Sequence, residues 1–127
     1  HFLPYLWERK ITLIVPVPLH SRRKRKRGFN QAEIVAKVLS ENTGIAMDAG
    51  AVKRIKATSP QKELGDKGRK RNIRGAFAVQ KNVKGENIVL IDDIYTTGST
   101  LDEAARVLKK AGAENVYFLT VSIGQGI

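Results

Sequence analysis

Two adjacent carboxylates, Asp92 and Asp93, close an apolar run and open a stretch rich in hydroxyls: Val89-Leu90-Ile91-Asp92-Asp93-Ile94-Tyr95-Thr96-Thr97-Gly98-Ser99-Thr100-Leu101. Thr96, Thr97, Ser99 and Thr100 surround Gly98. At the start of a helix, such a turn presents hydroxyls and free backbone N–H groups, which together make an anion site and above all a phosphate site. Carboxylates beside it ask for ligand hydroxyls or a metal, and a phosphorylated sugar satisfies both demands. The plain alternative is a capped helix, with Ser99 or Thr100 as cap and Asp102 or Glu103 completing a capping box. Capping accounts for one or two of these residues. It does not account for paired carboxylates at the mouth of a buried strand, where like charges repel and unpaired burial is costly.

The elements on either side must position this turn. Ile88 to Ile91 reads as a fully buried strand, short and β-branched in part. Leu101, Ala104, Ala105, Leu108 and Ala111 recur at helical spacing up to Gly112. Upstream, Ile11 to Pro18 reads as a first strand, with Pro16 and Pro18 at its end, where ladder bonds are no longer needed. Gln31 to Asn42 reads as a helix with Ala32, Val35, Ala36 and Leu39 on one face, Asn30 as N-cap and Gly44 as stop. Ala51 to Ile55, Phe77 to Val79 and Val116 to Val121 read as further strands, and Lys56 to Arg74 as a polar loop. Strands alternating with helices predict an α/β domain, a mainly parallel central sheet flanked by helices on both faces, with no repeat, linker or second domain in residues 1–127.

Charge is concentrated rather than spread. The net charge is +11, from 23 Lys and Arg against 12 Asp and Glu. Arg22, Arg23, Lys24, Arg25, Lys26 and Arg27 form one unbroken run, and nine more basic residues fall between Lys53 and Arg74, so fifteen of the 23 cations lie in two short segments. Such clusters imply a polyanionic ligand: pyrophosphate, nucleic acid or both. The absence of Cys excludes disulfides and thiolate metal sites. No apolar run approaches the ~20 residues of a membrane helix, and Phe2 to Trp7 is too short for a signal peptide. These features fit a cytoplasmic protein with no membrane insertion. The chain begins at His1 rather than Met and so reads as a fragment or a processed product.

Ligands of open parallel sheets bind beyond the carboxyl ends of the strands. The basic run leaves the carboxyl end of the first strand, and Asp92-Asp93 leaves that of a later one, so both face the same rim. A phosphate cradle, two carboxylates and a cationic loop could together hold a sugar with phosphate at one end and pyrophosphate at the other.

At this point the residues resemble a family. Val89 to Leu101 is similar to the phosphoribosyl pyrophosphate motif of type I phosphoribosyltransferases, whose fold is Rossmann-like. Val15-Pro16-Val17-Pro18-Leu19-His20 with Arg27-Gly28-Phe29-Asn30-Gln31, and Arg54, Thr58, Gln61, Arg71-Asn72 and Gly75-Ala76-Phe77, resemble one branch of it, the competence protein F family linked to bacterial DNA uptake. The likeness runs from about Ile11 to Val121. Members of that branch carry an N-terminal four-cysteine zinc module. With no Cys here, that module either lies outside this sequence or is lacking.

The resemblance implies roles residue by residue. Asp92 and Asp93 would hold the ribose 2- and 3-hydroxyls and take part in catalysis, with Asp93 near the developing ring charge. Thr96, Thr97, Gly98, Ser99 and Thr100 would bind the 5-phosphate. Arg25, Arg27 and Arg71 are the chosen pyrophosphate ligands, Arg71 as a catalytic group, against the alternative of solvated surface charge. Lys56 to Arg74 corresponds to the family's flexible closing loop. Mg²⁺ is expected on the pyrophosphate, with no metal site made of protein alone. His20 and Tyr95 read as structural and Phe29 as core. Trp7 with Phe2, Leu3, Tyr5 and Leu6 reads either as a helix remnant or as a lid over the base site. Two functions stay open: transfer of phosphoribosyl to a nitrogenous acceptor, or non-catalytic sensing of phosphoribosyl pyrophosphate by a protein that binds single-stranded DNA. Only Phe29 and Phe77 accompany the cations, so base stacking is weakly provided. The sequence does not indicate an oligomeric state.

Overall fold

The computed structural model describes residues 3–18, 31–55, 73–93 and 98–121. In chain order these hold α1 (Leu3–Glu8), β1 (Leu13–Pro16), α2 (Gln31–Thr43), β2 (Ala46–Met47), β3 (Val52–Arg54), β4 (Phe77–Val79), β5 (Asn87–Asp93), α3 (Gly98–Lys110) and β6 (Asn115–Val121). Four strands form a parallel sheet in the order β2-β1-β5-β6.

The central strand β5 is apolar from Ile88 to Ile91 because both of its faces are covered. Ile88 and Leu90 point into one core with Val15, Val17, and Ala104 and Leu108 of α3. Val89 and Ile91 point into the other with Ile14, and Ala32, Ala36 and Leu39 of α2. All four β5 side chains are fully buried, and each contributes about 1.5–3 kcal/mol relative to exposure. α2 ends where expected: Gly44 takes φ +76, and its N–H donates to the Ser40 carbonyl at 2.9 Å, closing the helix through a left-handed residue.

The structure departs from the sequence reading in two places. β2 is a two-residue strand whose partners are supplied by β1, and its sequence carries no signal of its own. β3 and β4 stay out of the parallel sheet and pair antiparallel with each other, with Val52 opposite Val79 and Arg54 opposite Phe77. The stretch between them is therefore bounded by the two strands of one stem, and Arg54 stacks over the Phe77 ring at 5.4 Å. Residues 3–8 are helical, with Leu6 buried and Trp7 exposed. The Leu6 carbonyl accepts the Ile11 N–H, tying α1 to the amino end of β1, opposite the acid rim. Among the described residues no helix is long and apolar enough to cross a membrane.

Candidate functional site

From β1 the chain crosses through α2 to β2, and from β5 it crosses through α3 to β6. The two crossovers run in opposite directions along the sheet and carry their helices on opposite faces. The strand order therefore reverses between β1 and β5. At such a switch point neither helix covers the gap beyond the strand ends, and a crevice opens.

Asp92 and Asp93 are the last two residues of β5 and stand on that rim. Pro16, the last residue of β1, is in register with Ile91, and the Val17 N–H donates to the Ile91 carbonyl at 2.8 Å. The chain leaving β1 toward the basic run thus sets out beside the acid pair, as the sequence reading required. Asp92 is in register with Thr120 of β6 and is only 3% exposed. The alternation along β5 places it on the α3 side with Ile88 and Leu90. The backbone of Asp93 is in register with Val121.

α3 begins at Gly98, where an added Cβ would meet nothing within 4 Å among the described residues. Thr100 is buried in the first turn of the helix. The structure therefore gathers Asp92, Asp93, Gly98, Ser99 and Thr100 at one rim. Thr96, Thr97, Arg25, Arg27 and Arg71 lie outside the described residues, as do His20, Phe29, Asn30 and Tyr95. Among the described residues no three His, Cys, Asp or Glu side chains converge on a common point.

The capping-box alternative does not hold in the form given. Ser99 and Thr100 lie inside α3 rather than before it. Glu103 uses its carboxylate elsewhere: Oε1 accepts the Arg106 Nε–H at 2.8 Å, and Oε2 accepts the Arg106 Nη2 at 2.7 Å and the Gly75 N–H at 3.0 Å. The Arg106 guanidinium, aided by the Gly75 N–H and by the charges of Arg106 and Arg74, holds the Glu103 carboxyl below the usual glutamate value, against the opposing effect of burial. The sequence reading missed this cluster. The three-residue spacing of Glu103 and Arg106 was its visible half. The contact with Gly75 joins positions 28 residues apart and left no trace in the sequence.

Comparison with known proteins adds identity to this geometry. The family model of the phosphoribosyl transferase domain matches residues 10–123. The DNA utilization protein YhgH of Escherichia coli (strain K12) is 43% identical over 103 residues, covering 81% of this chain and 45% of that protein. Competence protein F of Haemophilus influenzae is 42% identical over 106 residues, covering 81% and 46%. Competence protein ComFC of Bacillus subtilis is 36% identical over 112 residues, covering 86% and 43%. The chain thus spans somewhat under half the length of these curated relatives. Among solved structures, a purine phosphoribosyltransferase from Pyrococcus horikoshii superposes with a TM-score of 0.58 at 21% identity, covering 93% of this chain and 65% of that one. At that identity the likeness establishes the fold. The acid pair at the switch point, the family match over nearly the whole chain and these relatives agree: the chain belongs to the phosphoribosyl transferase domain family, in the branch of competence protein F.

Proposed function

We propose that the domain binds phosphoribosyl pyrophosphate, carried with Mg²⁺, in the crevice between β1 and β5, and transfers its phosphoribosyl group to a nitrogenous acceptor. One observation carries this reading: the adjacent carboxylates Asp92 and Asp93 end a buried central strand at the topological switch point, directly ahead of the helix that begins at Gly98. Asp92 and Asp93 would accept the ribose 2- and 3-hydroxyl hydrogens. Thr96 to Thr100 would take the 5-phosphate, and Arg25, Arg27 and Arg71 the pyrophosphate.

In the reaction, the bond from ribose C1 to pyrophosphate breaks and its electron pair leaves with the pyrophosphate. The ring carries oxocarbenium-like charge, as in glycoside hydrolysis. The acceptor nitrogen then bonds to C1 and loses its proton. Lys and Arg side chains would stabilise the departing charge, and Asp93 would lie near the cationic ring. Mg²⁺, part of the substrate, would neutralise pyrophosphate charge.

A second reading keeps the ligand and drops the transfer: a sensor of phosphoribosyl pyrophosphate that also engages single-stranded DNA. The names of the relatives, competence and DNA utilization, favour it, while the fifteen clustered cations suit pyrophosphate and DNA alike. A screen for pyrophosphate release against a panel of nitrogenous bases separates the two. Turnover with any base establishes the transferase. Binding without turnover across the panel, together with DNA affinity that falls with salt and with neutralisation of Arg22 to Arg27, establishes the sensor.

A further inference from the structure

β1, β5 and β6 lie side by side in the parallel sheet and end on the same rim. β6 brings a side chain to that rim which the acid pair and the helix start leave unexplained. Its alternation is set by what it buries. Tyr117, Leu119 and Val121 pack with the α2 core, while Val116 packs with the α3 core. Thr120 therefore leaves the sheet on the α3 side, as Val116 does. It is exposed there, as the last residue but one of the strand.

The neighbour of Thr120 gives this position its chemical meaning. Thr120 is in register with Asp92, and the backbones of adjacent strands run about 4.8 Å apart. Both side chains leave on the α3 side, so one ligand atom placed between them is within reach of both. Asp92 is buried and Thr120 is open to solvent. A threonine near the end of a strand needs no ligand on grounds of β propensity alone. From Val116 to Val121, however, all the remaining residues are aliphatic or aromatic. The break in that run falls at the register position that faces the buried carboxylate.

A ribose hydroxyl is donor and acceptor at once. When it gives its hydrogen to a carboxylate, its oxygen still has lone pairs to satisfy. An ionised carboxylate has no hydrogen to offer in return, whereas a threonine hydroxyl does. We propose that Thr120 is a specificity-determining residue: its O–H donates to the oxygen of the ribose hydroxyl whose hydrogen Asp92 accepts. The two side chains together read one sugar hydroxyl as both donor and acceptor, and so select ribose over a sugar that lacks it. This inference rests on the reading of the crevice as a phosphoribosyl pyrophosphate site and adds to it a residue of β6.

The test is calorimetry with Mg²⁺–phosphoribosyl pyrophosphate and its 2-deoxy and 3-deoxy analogues on wild type, Thr120→Val, Thr120→Ser and Thr120→Ala. Thr120→Val keeps the shape and loses the donor, and should weaken the parent ligand about fivefold, the scale of one hydrogen bond, with the melting temperature preserved. Thr120→Ser keeps the hydroxyl and should stay within about twofold of wild type. The analogue lacking the hydroxyl shared by Asp92 and Thr120 should change by less than about twofold between wild type and Thr120→Val, while the other analogue loses the same factor as the parent. Thr120→Ala should repeat this pattern, so the test survives if valine disturbs the strand. A Thr120→Val protein that binds the parent ligand as tightly as wild type, or one that loses equally for the parent and both analogues, would overturn the Thr120 contact alone. A wild type that does not bind the parent ligand would overturn the site itself, and this inference with it.

Discussion

The central strand β5 and the β3–β4 stem are held in different ways. β5 is gripped on both faces by two cores, and Ile88, Val89, Leu90 and Ile91 have no contact with water. The stem has three paired residues on each side, joins stretches more than twenty residues apart, and owes its place to one core face and to Glu103. The strand that carries the acids is thus held on two faces, and the β3–β4 stem on one.

This contrast can be broken at either end. Leu90→Ala cuts into the middle of the strand held on two faces and should cost about 2–5 kcal/mol in denaturant unfolding. The loss should appear in every probe of the fold, the stem included. Gly75→Ala puts a side chain at φ +76, where an added Cβ meets nothing within 4 Å, so only backbone strain of about 1–2 kcal/mol is expected. That strain should raise hydrogen exchange around residues 73–79 and leave β5 protected. Gly44→Ala has the same φ and the same open space. It should cost a similar amount in global stability with no effect on the stem.

The smallest effect is a pH dependence. The Glu103 carboxyl is held below the ordinary value of 4.5. Its contribution is therefore complete above that value and is lost as pH falls through the lowered one. The difference in melting temperature between wild type and Glu103→Gln should be constant near neutrality and shrink below about pH 4.5. A difference that is flat down to pH 3 would show that this carboxyl is not held below its ordinary value in the folded protein.

The same contrast governs how much of the molecule could be read in its sequence. β5 announces itself because burial on both faces demands an unbroken apolar run, and α3 because Leu101, Ala104 and Leu108 repeat at helical spacing. α2 was legible down to its stop at Gly44, whose left-handed φ only glycine adopts freely. The rim followed from chain order, since parallel strands share one carboxyl end. β2 was not legible, because two residues paired through β1 carry no period. The antiparallel pairing of β3 with β4 was hidden because it is decided by long-range contacts and not by local preference. Glu103 read as a capping residue because the partner that draws it away, Gly75, is visible only in three dimensions.

The assignment of the crevice rests on the acid pair. Calorimetry with Mg²⁺–phosphoribosyl pyrophosphate should detect binding to the wild-type chain. Asp92→Asn combined with Asp93→Asn should reduce that affinity by about a hundredfold or more, as expected for losing two charged acceptors, while the melting temperature shows the fold intact. A doubly substituted protein that binds the ligand as tightly as wild type would contradict the assignment of this crevice.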